Sequence, residues 1–402
     1  MLVTHKAQVD PQNMQNDQKE QSADKKTVFV VRLSAIGDAL IAARSLLRLA
    51  AEGFDPVFCT SRACADVALT IPNLHRAIIV EKDRSLSFVA IRENAGQREF
   101  CSESYETLFP ATESLWPQAL LDLQGTRRSA RFIKELRQKI SPQVLHIFKV
   151  EKHALARILM VVRARFSFKQ QTHNTNDGLF TPEIGLRRVA LHNQKVVEKF
   201  LMSQGRPTPQ PGIPLARIQT PRIDLTPYSA EYVVFCPGAS LPLKAWGSAN
   251  YKRCAEKILA NSNAHIVVLG GPDEAETGAE IQTLSAERVH NLAGKTSLLT
   301  SLATLAGASY VISGDSFPAH ACDLLGVPAT ILFGATSPYF GFAPCSENII
   351  VRHLNLSCSP CTRHGRGLCR FRNLMCLNGI APHEVADDAL QALERTKMRH
   401  SR

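Results

Sequence analysis

A chain of 402 residues with a net charge of +11 and 45% hydrophobic residues is long enough for two domains with packed cores. No apolar run reaches the roughly 18–20 residues that span a bilayer, and residues 1–27, rich in Gln, Asp and Lys, lack the apolar stretch of a secretory leader. That segment reads as a disordered polar tail and the protein as cytoplasmic, and eleven cysteines, odd in number and mostly scattered, argue against an extracellular disulfide framework.

The apolar run Val28 to Leu33 reads as a buried parallel strand. Ser34-Ala35-Ile36-Gly37 makes a tight turn, and Asp38 opens a helix to about Ala51 with Leu40, Ala43, Leu46 and Leu47 at helical spacing. Short strands follow at Val57–Cys59, Ile78–Val80, Ala119–Leu123 and Val144–Phe148, while residues 83–104 are ambiguous and read as an insertion. Helix Arg127–Lys139 carries part of a basic excess: residues 126–170 hold twelve Lys or Arg against two acids, a net of +10. The excess is either a solvated face or a surface for an anionic partner, a phosphorylated acceptor or an anionic membrane. Nucleic acid is disfavoured, because no nucleic-acid motif is present and Phe132, Phe148, Phe166 and Phe168 fit core spacing as well as stacking.

Six prolines from Pro207 to Pro227 forbid a long helix, so residues 207–228 are expected to link a domain at 28–206 to a second at 229–402. The second half alternates more clearly: strand Tyr232–Cys236, helix Ser248–Leu259, strand Ile266–Leu269, a helix from near Ser297, strand Tyr310–Ser313, a helix to Leu325, and strand Ala329–Phe333. Cys236 and Cys322 lie in apolar stretches and read as buried small hydrophobes. The expected fold class is α/β, two doubly wound parallel sheets facing across a cleft.

Four constellations follow strands, where open α/β sheets bind ligands. In Arg32-Leu33-Ser34-Ala35-Ile36-Gly37-Asp38, the carboxylate is either an N-cap or a general base facing the cleft. Pro237-Gly238-Ala239-Ser240 with Lys244 offers amides, a hydroxyl and a cation to a phosphate, or is an ordinary loop with a surface lysine. In Ser313-Gly314-Asp315-Ser316-Phe317-Pro318-Ala319-His320, a helix starting at Ser316 aims unpaired N–H groups at an anion, with His320 one turn on; alternatively Asp315 only caps and His320 only packs. In Gly294-Lys295-Thr296-Ser297, Ser297 reads first as an N-cap, with ligand contact second. There is no dinucleotide fingerprint and no P-loop, and no acidic pair suggests a divalent metal, so chemistry without metal or cofactor is expected.

Taken in order, these stretches resemble the ADP-heptose:lipopolysaccharide heptosyltransferases, glycosyltransferase family 9. The resemblance also rests on Asp122-Leu123-Gln124-Gly125, Lys244-x-Trp246, Gly270-Gly271-Pro272, Phe333-Gly334-Ala335-Thr336-Ser337-Pro338 and Cys358-Ser359-Pro360-Cys361, and covers roughly residues 28–390. It implies a GT-B fold of two Rossmann-like domains, with an anionic, lipid-anchored inner-core acceptor on the first and an ADP-activated sugar on the second. Asp38 matches the general base and Lys244 the phosphate-contacting lysine. Ser240, Thr296, Asp315, Ser316, Phe317 and His320 fall on the donor side; Ser34, Gly37, Arg127, Arg128 and Arg131 fall on the acceptor side. Phe317 departs from the family, which has glycine there so that a phosphate can approach the backbone. Relatives with another nucleotide sugar or acceptor, and non-catalytic GT-B binding proteins, are the competing readings.

Cys358, Cys361, Cys369 and Cys376 have a C-x2-C-x7-C-x6-C spacing, which suits either a structural zinc ion or thiols that pack or pair in a surface loop.

Overall fold

The computed structural model describes residues 25–109, 119–139, 146–150, 154–166, 189–206, 217–221, 231–239 and 241–400. Most of the expected tail and of the 207–228 linker, together with Ser240, lies outside the described residues.

The first domain is built on a seven-stranded sheet of β1 (Thr27–Val31), β2 (Asp55–Ser61), β3 (Arg76–Val80), β4 (Leu86–Asn94), β5 (Gln97–Glu103), β6 (Ala119–Asp122) and β7 (His146–Lys149) in the order β5-β4-β3-β2-β1-β6-β7. β1 lies at the centre, buried along its whole length between β2 and β6, both parallel to it. This is why its apolar residues run without a polar interruption. The ambiguous stretch at residues 83–104 holds an antiparallel hairpin that extends the sheet beyond β3, so this sheet is mixed. Helix α1 (Ile36–Ala51) covers it, burying Leu40, Ala43, Leu46 and Leu49. The helix starts two residues earlier than expected, which puts Asp38 in its first turn and not at its cap. Helices α2 (Arg127–Lys139), α3 (Ala154–Arg165) and α4 (Val189–Ser203) follow. Phe132 is buried on α2, whereas Phe166, which fitted core spacing, is 71% exposed.

The second domain carries six strands, β8 (Tyr232–Cys236), β9 (His265–Val268), β10 (Val289–Asn291), β11 (Tyr310–Gly314), β12 (Ala329–Leu332) and β13 (Ile349–Arg352), in the order β10-β9-β8-β11-β12-β13. Every pairing in it is parallel. Helices α5 (Ser248–Asn261), α6 (Ala275–Gln282), α7 (Leu298–Ala306), α8 (Phe317–Leu325) and α9 (Pro382–His400) complete it. β13 adds a strand beyond the one expected to close the series. Cys236 and Cys322 are buried, as expected.

The two domains meet through α1 and α8. Arg44 on α1 forms a buried ion pair with Asp323 on α8 at 2.9 Å. A Cβ on Gly37 would lie 2.8 Å from the His320 ring, so the two helix starts touch only because position 37 is glycine. Within the expected linker, Ile218 is buried and not on an irregular surface: its N–H donates to the Leu324 carbonyl, and the next amide, of Gln219, donates to Thr70. Residues of both domains consequently share one apolar cluster.

Candidate active site

At the carboxyl end of β1 the chain turns through Arg32–Ala35 into α1. The Arg32 guanidinium donates to the carbonyls of Leu123 (2.6 Å) and Ser34 (3.2 Å) and forms an ion pair with Asp38, whose side chain is 22% exposed. Asp38 is therefore a partly open carboxylate held by an arginine. Ser34 and Gln124 lie beside it, with the Gln124 amide 3.4 Å from the Ser34 hydroxyl.

Across the cleft, the loop after β8 carries Lys244, and the end of β11 carries Asp315. The two form an ion pair at 2.6 Å, and the ammonium also donates to the Asp315 carbonyl at 3.0 Å. Thr336, after β12, donates its hydroxyl to the Asp315 carboxylate at 2.8 Å. Asp315 is thus bound to Lys244 and Thr336 and does not cap α8. Ser316 occupies the N-cap position of that helix without a side-chain cap bond. The first turn, with Pro318 at N1/N2, keeps its positive end toward the cleft. His320 lies one turn inside; burial pushes its imidazole below the usual range, against the pull of Asp315, Asp38 and Asp323, so it is neutral near pH 7.

Ala35 to Asp38 on one side and Lys244, Thr296, Asp315, Ser316, Phe317 and His320 on the other line a single cavity of about 780 Å³. Phe317 is half-buried: its ring packs on the shared apolar cluster and forms part of the cavity wall. Ser297 caps α7 by accepting from the Thr300 amide, and Thr296 bonds the Ser301 hydroxyl at 2.8 Å while still facing the cavity. Ser34 is not among the residues lining this cavity, nor are Arg127, Arg128 and Arg131; the three arginines are exposed on the first turns of α2.

Glu274, Arg363 and His364 are among the residues of the cavity wall that the sequence did not assign to the site. Glu274 accepts from the Gly271 amide at 2.7 Å, and a Cβ on Gly238 or Gly270 would come within 2.8 Å of its side chain. The glycines of two loops therefore make room for this carboxylate; the Gly270-Gly271-Pro272 turn was the available signal. Arg363 and His364 reach the cavity from the loop after the first two clustered cysteines. Burial, together with Arg363, Lys244, Arg366 and Arg157, pushes the His364 imidazole down, which marks a cationic neighbourhood. Gly365, at φ +94°, lies against the stem of Lys244, so this loop packs on the lysine.

The side chains of Cys358, Cys361, Cys369 and Cys376 line a second cavity of about 460 Å³. Among the described residues no group of three or more His, Cys, Asp or Glu is arranged to hold a metal ion.

Two Rossmann-like domains with ligand-facing groups at the carboxyl ends of both sheets define the GT-B class. Solved structures share the fold: the ADP-heptose lipopolysaccharide heptosyltransferase II of Escherichia coli (18% identical, 92% of this chain and 99% of that one, TM-score 0.59) and an E. coli heptosyltransferase with ADP (19% identical, 91% and 99%, TM-score 0.57). Residues 97–369, more than half of the chain, match the model of glycosyltransferase family 9 (heptosyltransferase), and the chain belongs to that family. The lipooligosaccharide heptosyltransferase 2 of Campylobacter jejuni is 28% identical over 169 residues, 40% of this chain and 51% of that protein. The lipopolysaccharide heptosyltransferase 2 of Salmonella typhimurium is 32% identical over 111 residues, 26% and 32% respectively. The chain thus spans between about a third and a half of the length of the curated relatives it matches.

Proposed function

We propose that this protein is an inverting, metal-independent glycosyltransferase of the cytoplasmic face of the inner membrane, transferring heptose from ADP-heptose to an anionic, lipid-anchored lipopolysaccharide core acceptor. The observation that carries this reading is the placement of Asp38 and the Lys244–Asp315 pair, from opposite domains, on the wall of one cavity. Asp38 takes the proton of the acceptor hydroxyl as its oxygen bonds to the anomeric carbon. The bond from that carbon to the diphosphate breaks, and its electron pair leaves on the phosphate oxygen. Lys244, Ser240 and the positive end of α8 offset the leaving charge. One displacement inverts the anomeric centre. The exposed Arg127, Arg128 and Arg131 guide the acceptor's phosphates.

Phe317 favours a second reading, a family relative with a different nucleotide sugar, because its ring occupies wall space beside the donor loop. Incubation with ADP-heptose and a panel of core acceptors separates the two. The first reading expects a product heavier by one heptose and a kcat lower by about 10²- to 10⁴-fold for Asp38→Asn at unchanged thermal stability. No product from any acceptor, with ADP-heptose failing to bind, overturns it.

A further inference from the structure

Helix α3 (Ala154–Arg165) is built only from Ala, Leu, Ile, Met, Val and Arg. Yet Leu159 is 66% exposed and Val162 42%, and Phe166 just beyond the helix is 71% exposed. Residues 159, 162 and 166 share one helical face. On the second domain, the cysteine loop brings Leu368 to the surface at 93% exposure. The two features are fastened together: Arg165 Nε donates to the Cys361 carbonyl at 3.3 Å, and Arg370 donates to the Arg165 carbonyl. Between them opens the 460 Å³ cavity, walled by Phe166, Leu368, Phe371 and Leu374 and rimmed by Arg165, Arg366 and Arg370.

We propose that α3, Phe166 and the Leu368 loop form the face by which this protein docks on an anionic phospholipid bilayer. Large apolar side chains gathered on one surface mark an interaction site. Here every charged residue among those named is arginine, whose stem lies along apolar surface while its head meets phosphate. A helix of apolar residues and arginine without a single acid is the composition of an element that rests in a lipid interface. The face also adjoins the cleft: Arg157, on the same helix, senses the charges of Asp38, Arg32 and Arg363 and lies over the Phe342 ring. A lipid-anchored substrate lying in the bilayer therefore reaches Asp38 along α3.

The inference deepens the transferase reading, and vesicles without donor or acceptor test it alone. Failure here leaves transfer to a soluble acceptor intact, and failure of transfer leaves vesicle binding intact. The full chain is expected to co-sediment with vesicles of phosphatidylethanolamine and phosphatidylglycerol on the order of tenfold or more better than with phosphatidylcholine alone. Leu159→Ser with Leu368→Ser is expected to lower that binding by about tenfold for each leucine, with an unchanged melting curve. In Leu368→Trp, added anionic vesicles shift the extra emission to the blue. Equal binding to neutral vesicles, wild-type binding by the double variant, or an unshifted Trp emission each overturns the proposal.

Discussion

Arg32 carries as much of the site as the carboxylate it faces. Its guanidinium joins the Leu123 carbonyl after β6, the Ser34 carbonyl in the turn and Asp38 on α1, so one side chain fixes the geometry of three segments. Lysine keeps the charge but loses the planar fork. Arg32→Lys is therefore expected to lower kcat by about 10- to 100-fold through misplacement of Asp38, with the KM for the nucleotide sugar little changed; steady-state kinetics against each substrate separates the two. Asp38, Lys244 and Asp315 were legible because each follows a strand at a turn, where chain direction limits what a polar side chain can do. Their ion pairs were not, since Lys244 and Asp315 stand 71 positions apart. Glu274, Arg363 and His364 were hidden for a different reason: Glu274 ends a single 3-10 turn and the other two stand on a loop, and neither is long enough for periodicity to say which way a side chain points.

At the scale of the element, the contact of α1 with α8 decides how the halves sit. Asp323 forms an ion pair with Arg44 and accepts hydrogen bonds from the amides of Cys345 (3.0 Å) and Ser346 (2.8 Å) and from the Ser346 hydroxyl (2.6 Å). Its loss strands the two amides besides the arginine, while the Ser346 hydroxyl keeps the Asp323 carbonyl as an acceptor; loss of Arg44 leaves a carboxylate that is still solvated by the protein. Asp323→Ala is expected to cost about 3–5 kcal/mol and Arg44→Ala less, an order that urea unfolding checks. Neither partner was legible as a tie, for a charged residue inside an apolar helix pattern reads as a position on the solvent face. The β4–β5 hairpin escaped for the opposite reason. At the sheet edge Leu86, Phe88 and Ala90 are half-covered on one face while Val89 and Ile91 are buried on the other, so alternation fades.

Over the whole molecule the division into two halves was plain, because strand–helix alternation repeats on either side of the prolines. The assembled protein adds a property that no segment shows. His75, His290, His320, His353 and His364 are all pushed below the ordinary histidine range, burial being the first cause in each. His353, 5% exposed, is lowered to about 4. Below about pH 6.5 the unfolded chain binds protons that these rings refuse in the fold, so stability present above that pH is lost as pH falls toward the folded values. His353 alone accounts for roughly 2 kcal/mol between pH 7.5 and pH 5. Urea unfolding at the two pH values is expected to show at least that loss, and His353→Gln to flatten the slope.

The Lys244–Asp315 pair has a consequence for selectivity. Because the lysine already faces a carboxylate, that part of the wall is nearly neutral, and a bare inorganic phosphate gains only by pulling the cation off its partner. A molecule that brings an anion for the ammonium and hydroxyl groups for the carboxylate satisfies both at once. On the proposed reading, the pair is expected to favour a sugar joined to a diphosphate over either piece offered alone, a preference that competition binding of ADP, free heptose and ADP-heptose checks.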